Sequence, residues 1–440
     1  MQLYIESLGC ARNQVDSETM AGELNQAGWS LTADPAQAAV IVVNTCSFVE
    51  SAVDESIDTI LELARFKKQG RCQRLIVTGC LPERFREAIV DALPEVDQFL
   101  GTGAFSRIGD AVSGDLGTPC LLPDPDRIAV GQSLVRQRTQ SHAAYLKIAE
   151  GCNRRCTYCI IPRLRGRQKS RSLEQILEEA RRLVAGGVKE LNLVSQETTA
   201  YGHDLPGPLS LETLLSRLAD MADDVWVRFL YGHPESLTDR MIEAVAAHSN
   251  LCPYFDLPIQ HVAPRILKRM GRNYDKDLLW DLFARIRKRV PEAAIRTTLI
   301  VGFPGETDAD FEELLDFVKQ VRFDHLGVFT YSDADDLPSH GLTEHVPATD
   351  AQMRYDALMA SQMQISADAL TSMIGMTMPV LIESSAELGL YEGRSMHQAP
   401  EVDGITYVRT RPDSPGLTVG QPVTVKITET LAYDLIGKTP

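Results

Sequence analysis

Twice along this chain, short apolar runs alternate with stretches of helical periodicity, and that alternation constrains the fold more than any other feature. Strands separated by helices pair in parallel, because each crossover returns the chain to the same edge. The first block covers roughly 100 residues, with strands expected at 2–8, 39–44 and 74–78 and helices at 17–27 and 52–66. The second block has longer units and six expected strands, at 144–149, 190–194, 225–231, 254–258, 296–301 and 326–331. Between the first two of these, Leu173, Ile176, Leu177, Ala180 and Leu183 keep to one helical face. Six such units make an incomplete TIM-like barrel. Residues 333–371 form a helical bridge whose methionines suit core packing. From 377 to 437 the pattern turns to five short strands with Gly and Pro turns, the mark of a small closed barrel. The expected class is α/β. Residues 1–115 form a parallel α/β domain and 116–140 a linker; residues 141–370 form the incomplete (βα)6 barrel and 371–440 the all-β barrel.

Nine cysteines punctuate this framework, and six of them fall into two trios. Cys152, Cys156 and Cys159 lie in GCNRRCTYC with C-x3-C-x2-C spacing, close enough to wrap one corner of a small inorganic core. Iron–sulfur clusters are usually held by four cysteines, so a trio leaves one iron open for a ligand. A zinc site would want a fourth Cys or His at finger-like spacing, and the nearest histidines are the remote His142 and His203. Disulfides are disfavoured, because the start MQLYIESLGC lacks a basic leader and no apolar run reaches the ~18 residues of a membrane span. A cytoplasmic protein with no membrane association is expected. Cys10, Cys46 and Cys80 form the second trio, each just past a strand of the first block. Ligands of open α/β sheets gather beyond the carboxyl ends of the strands, so these three converge on one rim as a second metal site. Cys72, Cys120 and Cys252 have no such placement and read as free thiols.

Barrel chemistry also sits at the carboxyl ends of strands, where the GCNRRCTYC loop follows the first. Ser195, Gln196 and Glu197 follow the second strand, and Gln260 and His261 the fourth. VGFPGET follows the fifth, and its Gly302 and Gly305 would let backbone approach a ligand. His261 by itself reads as a hydrogen-bonded structural histidine. Arg163, Arg165, Arg167, Lys169 and Arg171 lie just past the cysteine loop; they form either a solvated face or a receptor for a carboxylate. The net charge of −16 argues against a surface built for phosphate backbones and suits a basic protein partner. The last 70 residues carry eight acidic and five basic side chains, a balance of −3 that is wrong for RNA.

The cysteine spacing resembles the signature of the radical S-adenosylmethionine (SAM) enzymes, and Tyr158 fits that superfamily's aromatic contact. Over its whole length the chain resembles the methylthiotransferases, through SLGCARNQVDSE, VNTCSF, VTGCLPER, GCNRRCTYCIIPRLRG and VGFPGET. SQETTAYG, FDLPIQHVAPRILKRM, GRSMHQAPEVDG and YDLIG are similar to the branch that modifies a ribosomal protein, whereas FLYGHPES departs from it. The resemblance implies a three-cysteine N-terminal domain, a radical SAM barrel and a TRAM barrel. It implies a [4Fe–4S] cluster on Cys152, Cys156 and Cys159 and a second on Cys10, Cys46 and Cys80. It places SAM against Tyr158, Ser195, Gln196, Glu197, Gly302 and Gly305, as radical source and methyl donor. The implied substrate is the β-carbon of an aspartate in small-subunit ribosomal protein S-twelve, with electrons from a low-potential flavodoxin or ferredoxin. A tRNA adenosine is the alternative substrate, and a non-enzymatic iron–sulfur carrier or redox sensor the alternative class. Two trios with open irons favour catalysis over a carrier.

Overall fold

The computed structural model describes residues 1–127, 135–138, 141–411 and 416–440; the linker expected at 116–140 lies partly outside them. Its class is the expected α/β. The N-terminal sheet has six parallel strands in the order Ser30–Leu31, Gln2–Ser7, Val40–Thr45, Arg74–Gly79, Gln98–Leu100, Cys120–Leu121. Val40–Thr45 is buried along its whole length, as a strand covered on both faces must be. The outer strands at 30–31, 98–100 and 120–121 have two or three residues each, too few for any pattern to register. The helix expected at 17 starts at Ala11, directly after Cys10. Its first turns escaped the pattern because they are polar and buried together, with Asn13, Asp16, Ser17 and Glu18 all enclosed.

The second block forms two parallel ladders in chain order. One joins Ala143–Lys147, Glu190–Val194 and Trp226–Phe229; the other joins Tyr254–Asp256, Ala294–Val301 and His325–Thr330. A bridge between Val227 and Leu251 links them. Among the described residues the sixth strand does not pair with the first, so the barrel stays open, and Phe329 on that last strand is 59% exposed. The helical bridge is shorter than expected. Helix Ala348–Thr371 begins just after Pro347, while Pro338 opens an isolated 3₁₀ turn upstream, because proline tolerates only a first turn. Among the described residues no helix is long and apolar enough to cross a membrane.

All five expected C-terminal strands form. Thr377–Glu387, Leu390–Arg394, Thr406–Arg409, Leu435–Lys438 and Pro422–Thr430 close into a barrel in that spatial order. The GRSMHQAPEVDG segment of this barrel enters the open barrel at the amino ends of its strands. Arg228 Nη1 donates to Met396 O at 2.9 Å, Tyr254 Oη to Asp403 at 2.5 Å, and Arg394 pairs with Glu190 at 2.6 Å. The small barrel is therefore a floor to the large one. On the opposite side Arg84 of the N-terminal domain pairs with Asp336 at 2.9 Å, and Arg165 of the barrel pairs with Asp16 at 2.8 Å.

Candidate functional site

Two groups of cysteines face the seam between the N-terminal domain and the open barrel. Cys10 precedes helix Ala11–Gln26, Cys46 follows strand Val40–Thr45, and Cys80 opens helix Cys80–Phe85. Their loops are laced together. Asn13 Nδ2 donates to both Leu8 O and Thr45 O at 2.9 Å, and Thr45 Oγ1 donates to Thr78 O at 2.6 Å. A Cβ added to Gly9 would lie 2.7 Å from Cys46 Cβ, so the first two cysteine loops touch. Gly79 turns the chain into Cys80 with φ +98°, and a Cβ there would lie 2.5 Å from Asn44 Oδ1 and 2.6 Å from Thr45 O. Gly79→Ala is expected to destabilise the chain by about 1–3 kcal/mol, from backbone strain and that contact together. A urea midpoint unchanged from wild type would contradict this.

The loop carrying Cys152, Cys156 and Cys159 is stapled to the body. Cys152 N donates to Gly166 O at 3.0 Å, Thr157 N to Met270 O at 3.1 Å, and Thr157 Oγ1 to Arg269 O at 2.8 Å. Arg154 N points at Cys152 Sγ from 3.4 Å, a donor suited to a thiolate. Burial pushes the thiols of Cys152 and Cys80 up to about 11 and that of Cys159 up to about 12, and it also raises Cys46. Burial opposes ionisation of Cys10 too, but Arg12 and Arg165 outweigh it and hold that thiol below its usual range. Buried thiols of this kind ionise readily only against a cation, which a bound metal provides. Among the described residues no group of His, Cys, Asp or Glu converges tightly enough for a single ion. Ligands of one polynuclear cluster each bind a different iron, so they need not converge on a point. Soft thiolates with N–H donors and no fourth protein ligand fit such a cluster.

A buried polar network joins the two trios. Arg165 holds Asp16 at 2.8 Å, Asn13 Oδ1 at 2.5 Å and Glu150 at 3.4 Å, and its Nη2 lies 3.6 Å from Cys80 Sγ. Glu150 stands two residues before Cys152. Burial disfavours its charge, yet Lys147 and Arg165 hold its carboxyl down to about 2. The run from Arg163 to Arg171 is thus no uniform face: Arg163 and Arg167 are exposed and Lys169 is half-buried. Arg165 and Arg171 are buried against Asp16 and Glu179, and the exposed Arg163 reaches Asp336 at 3.3 Å.

Of the residues expected around SAM, four gather near the cysteine loop. Tyr158 Oη accepts from Arg272 Nη2 at 2.7 Å, and its ring meets Phe303 edge-on at 6.3 Å. Glu197 takes Arg154 at 2.7 Å and Ser236 Oγ at 2.7 Å. Gln196 Nε2 donates to Glu150, and Ser195 O accepts from Arg12 at 2.9 Å. Gly302 packs against Ala351, and Gly305 is bracketed by Glu344 O and Arg265, so both glycines meet protein. His261 Nδ1 accepts from Ala263 N at 3.0 Å, as a structural histidine does. Pattern reading missed Arg12, Tyr231 and Arg272, because each gains its setting from partners distant in the chain.

Three family models match: the uncharacterized protein family UPF0004 over residues 2–101, the radical SAM superfamily over 146–318 and the TRAM domain over 374–439. The chain is 52% identical to the "Ribosomal protein uS12 methylthiotransferase RimO" of Desulfosudis oleivorans, across 100% of both chains. It is 44% identical to the RimO of Clostridioides difficile, over 99% of this chain and 98% of that one. Among solved structures, the radical SAM methyltransferase TsrM of Kitasatospora setae, with cobalamin and a [4Fe–4S] cluster bound, aligns with a TM-score of 0.59. That alignment covers 89% of this chain and 80% of TsrM at 14% identity, a likeness of fold alone.

Proposed function

The chain belongs to the family of ribosomal protein uS12 methylthiotransferases, and from that premise we propose that it places a methylthio group on the β-carbon of an aspartate of uS12. One observation carries the reading: two cysteine trios face one seam, on a chain that matches uS12 methylthiotransferases from end to end. The cofactors are two [4Fe–4S] clusters and SAM. When bound they supply radical attack on an unactivated C–H bond, together with sulfur and methyl transfer, chemistry beyond the reach of any side-chain base. Cys152, Cys156 and Cys159 would hold one cluster, and Cys10, Cys46 and Cys80 the other. Tyr158, Ser195, Gln196 and Glu197 would hold SAM beside the first, with the Gly302–Gly305 loop behind Tyr158.

The chain's own residues bind, orient and exclude water. Arg165 and Glu150 set the spacing of the trios. Asn13 and Thr45 fix the loops of the N-terminal one. Residues 1–115 are read as the domain of the second cluster, 116–140 as a linker, 141–370 as the radical SAM core and 371–440 as the TRAM domain. A low-potential flavodoxin or ferredoxin would supply electrons, and the reaction would take place in the cytoplasm. The −16 charge suits a basic ribosomal protein, and the acidic C-terminal barrel disfavours tRNA. The test is the mass of small-subunit ribosomal proteins from cells with and without the gene, with tRNA nucleosides measured alongside. Loss of one methylthio group from uS12, with tRNA unchanged, is expected. Loss of a methylthio adenosine from tRNA instead would overturn the substrate.

A further inference from the structure

An arginine inside a protein is ordinarily matched by a carboxylate. Arg84, Arg136, Arg165, Arg228 and Arg394 all follow that rule here. Arg272 does not, but its N–H groups are taken by Tyr158 Oη, Tyr274 Oη and Pro258 O. Arg12, half-buried at the seam, is the odd case. Among the described residues no carboxylate pairs with it. Nη1 donates to Ser195 O at 2.9 Å, and the guanidinium lies over the ring of Tyr231, 4.4 Å from its centroid. Arg12 also faces the Cys10 thiol two residues away, so its guanidinium turns toward the N-terminal trio. A guanidinium stacked on an aromatic face matches a carboxylate through its remaining N–H groups.

The stacking partner is held against its own preference. Tyr231 has φ +61°, a left-handed conformation that is uncommon for a bulky residue and persists only when surroundings impose it. They do so here. Tyr231 N donates to Asp256 Oδ2 at 2.9 Å, and Thr198 N donates to Tyr231 O at 3.1 Å. Asp256 faces Arg296 at 3.6 Å, and Arg296 faces Asp403 of the C-terminal barrel at 3.4 Å. The stack thus rests on a buried polar chain that runs through the lumen from its floor. Tyr231 lies in FLYGHPES, the stretch that departs from the ribosomal-protein branch.

We propose that Arg12, stacked on Tyr231, receives the side-chain carboxylate of the aspartate to be modified, an inference that rests on the uS12 reading. Arg12 is a specificity-determining residue in this role. In aspartate the β-carbon is bonded directly to the carboxylate carbon. A carboxylate bound two residues from Cys10 therefore leaves the β-carbon beside the N-terminal trio. Through Ser195, Arg12 is tied to the loop whose next two residues reach Glu150 and Arg154 at the other trio. The position lies between the two. SAM also carries a carboxylate, so the same chemistry has a second source.

The test uses reconstituted enzyme with Arg12→Gln and Arg12→Lys, on uS12 and on uS12 whose target aspartate is changed to asparagine. The wild type is expected to prefer the aspartate substrate by about 10- to 100-fold in kcat/KM, as loss of a charged hydrogen-bond pair predicts. Arg12→Gln should lose that factor on the aspartate substrate and discriminate by less than about 3-fold, with partial recovery in Arg12→Lys, as a double-mutant cycle requires. Iron content and SAM affinity without substrate should match the wild type. A parallel fall in SAM affinity would assign Arg12 to the carboxylate of SAM and overturn the proposal. Retained discrimination, or loss of iron from both variants, would assign it to structure and overturn it too. If the wild type modifies neither protein, the uS12 reading fails and this inference with it, a result visible before any substitution is made.

Discussion

Cys46→Ala should keep about half of the wild-type iron and sulfide, still convert SAM to 5′-deoxyadenosine, and make no methylthio product. Cys156→Ala should keep the same half of the metal and lose SAM cleavage as well. The difference follows from which trio each cysteine belongs to, since a cluster held by three thiolates does not tolerate the loss of one. Neither substitution removes much else. Both cysteines are only half-buried, so truncation to alanine leaves no enclosed cavity, and unfolding of the apo-protein should shift little. Iron analysis, SAM cleavage and product mass on the same samples check the three parts. Methylthio product from either variant at wild-type rate would remove that cysteine from the ligand set. A Cys46→Ala enzyme that no longer cleaves SAM would show that the two trios do not work separately. The Cys80–Arg165–Glu150 contact makes that coupling the point to examine first.

What the sequence revealed follows the range over which each feature is determined. The C-x3-C-x2-C trio is local, and nine residues suffice to read it. The other trio was legible only through fold class, because parallel strands put their carboxyl ends on one rim. Strand Glu190–Val194 matched to the residue, since Leu191, Leu193 and Val194 mark it as a strand even though Glu190 and Asn192 are buried beside them. The two- and three-residue strands of the N-terminal sheet left no pattern. Helix Ala11–Gln26 hid its first turns because polar side chains buried against another domain look exposed from sequence. Arginines were the least legible. Arg84 finds Asp336 252 residues away and Arg165 finds Asp16 149 residues away, so local charge density described neither. The same blindness left the run after the cysteine loop open between a solvated face and a carboxylate receptor, and it concealed Arg12.

Glu190 is where acid should first separate the C-terminal barrel from the rest. It begins the second barrel strand, fully buried, with Arg394 at 2.6 Å and Arg228 at 3.1 Å. Burial alone would raise its carboxyl; Arg394 and Arg228 outweigh burial and hold it down to about 2. A carboxyl lowered on folding stabilises the native state at pH above its ordinary value of about 4.3. That contribution fades as pH falls from there toward 2, and with a shift of about two units it amounts to roughly 3 kcal/mol. Urea midpoints measured from pH 6 to pH 3 should therefore decline in the wild type and decline less in Glu190→Gln. At neutral pH the same variant should be less stable by about 3–5 kcal/mol, the usual result of stranding a buried charge. Arg394 would keep Glu383 at 2.6 Å, but Arg228 would keep only Met396 O and the face of Tyr254. Loss should appear first as undocking of the small barrel, read as faster proteolysis around 371–377. A neutral-pH change below about 1 kcal/mol would mean that the GRSMHQAPEVDG segment seats the barrel through its apolar contacts instead.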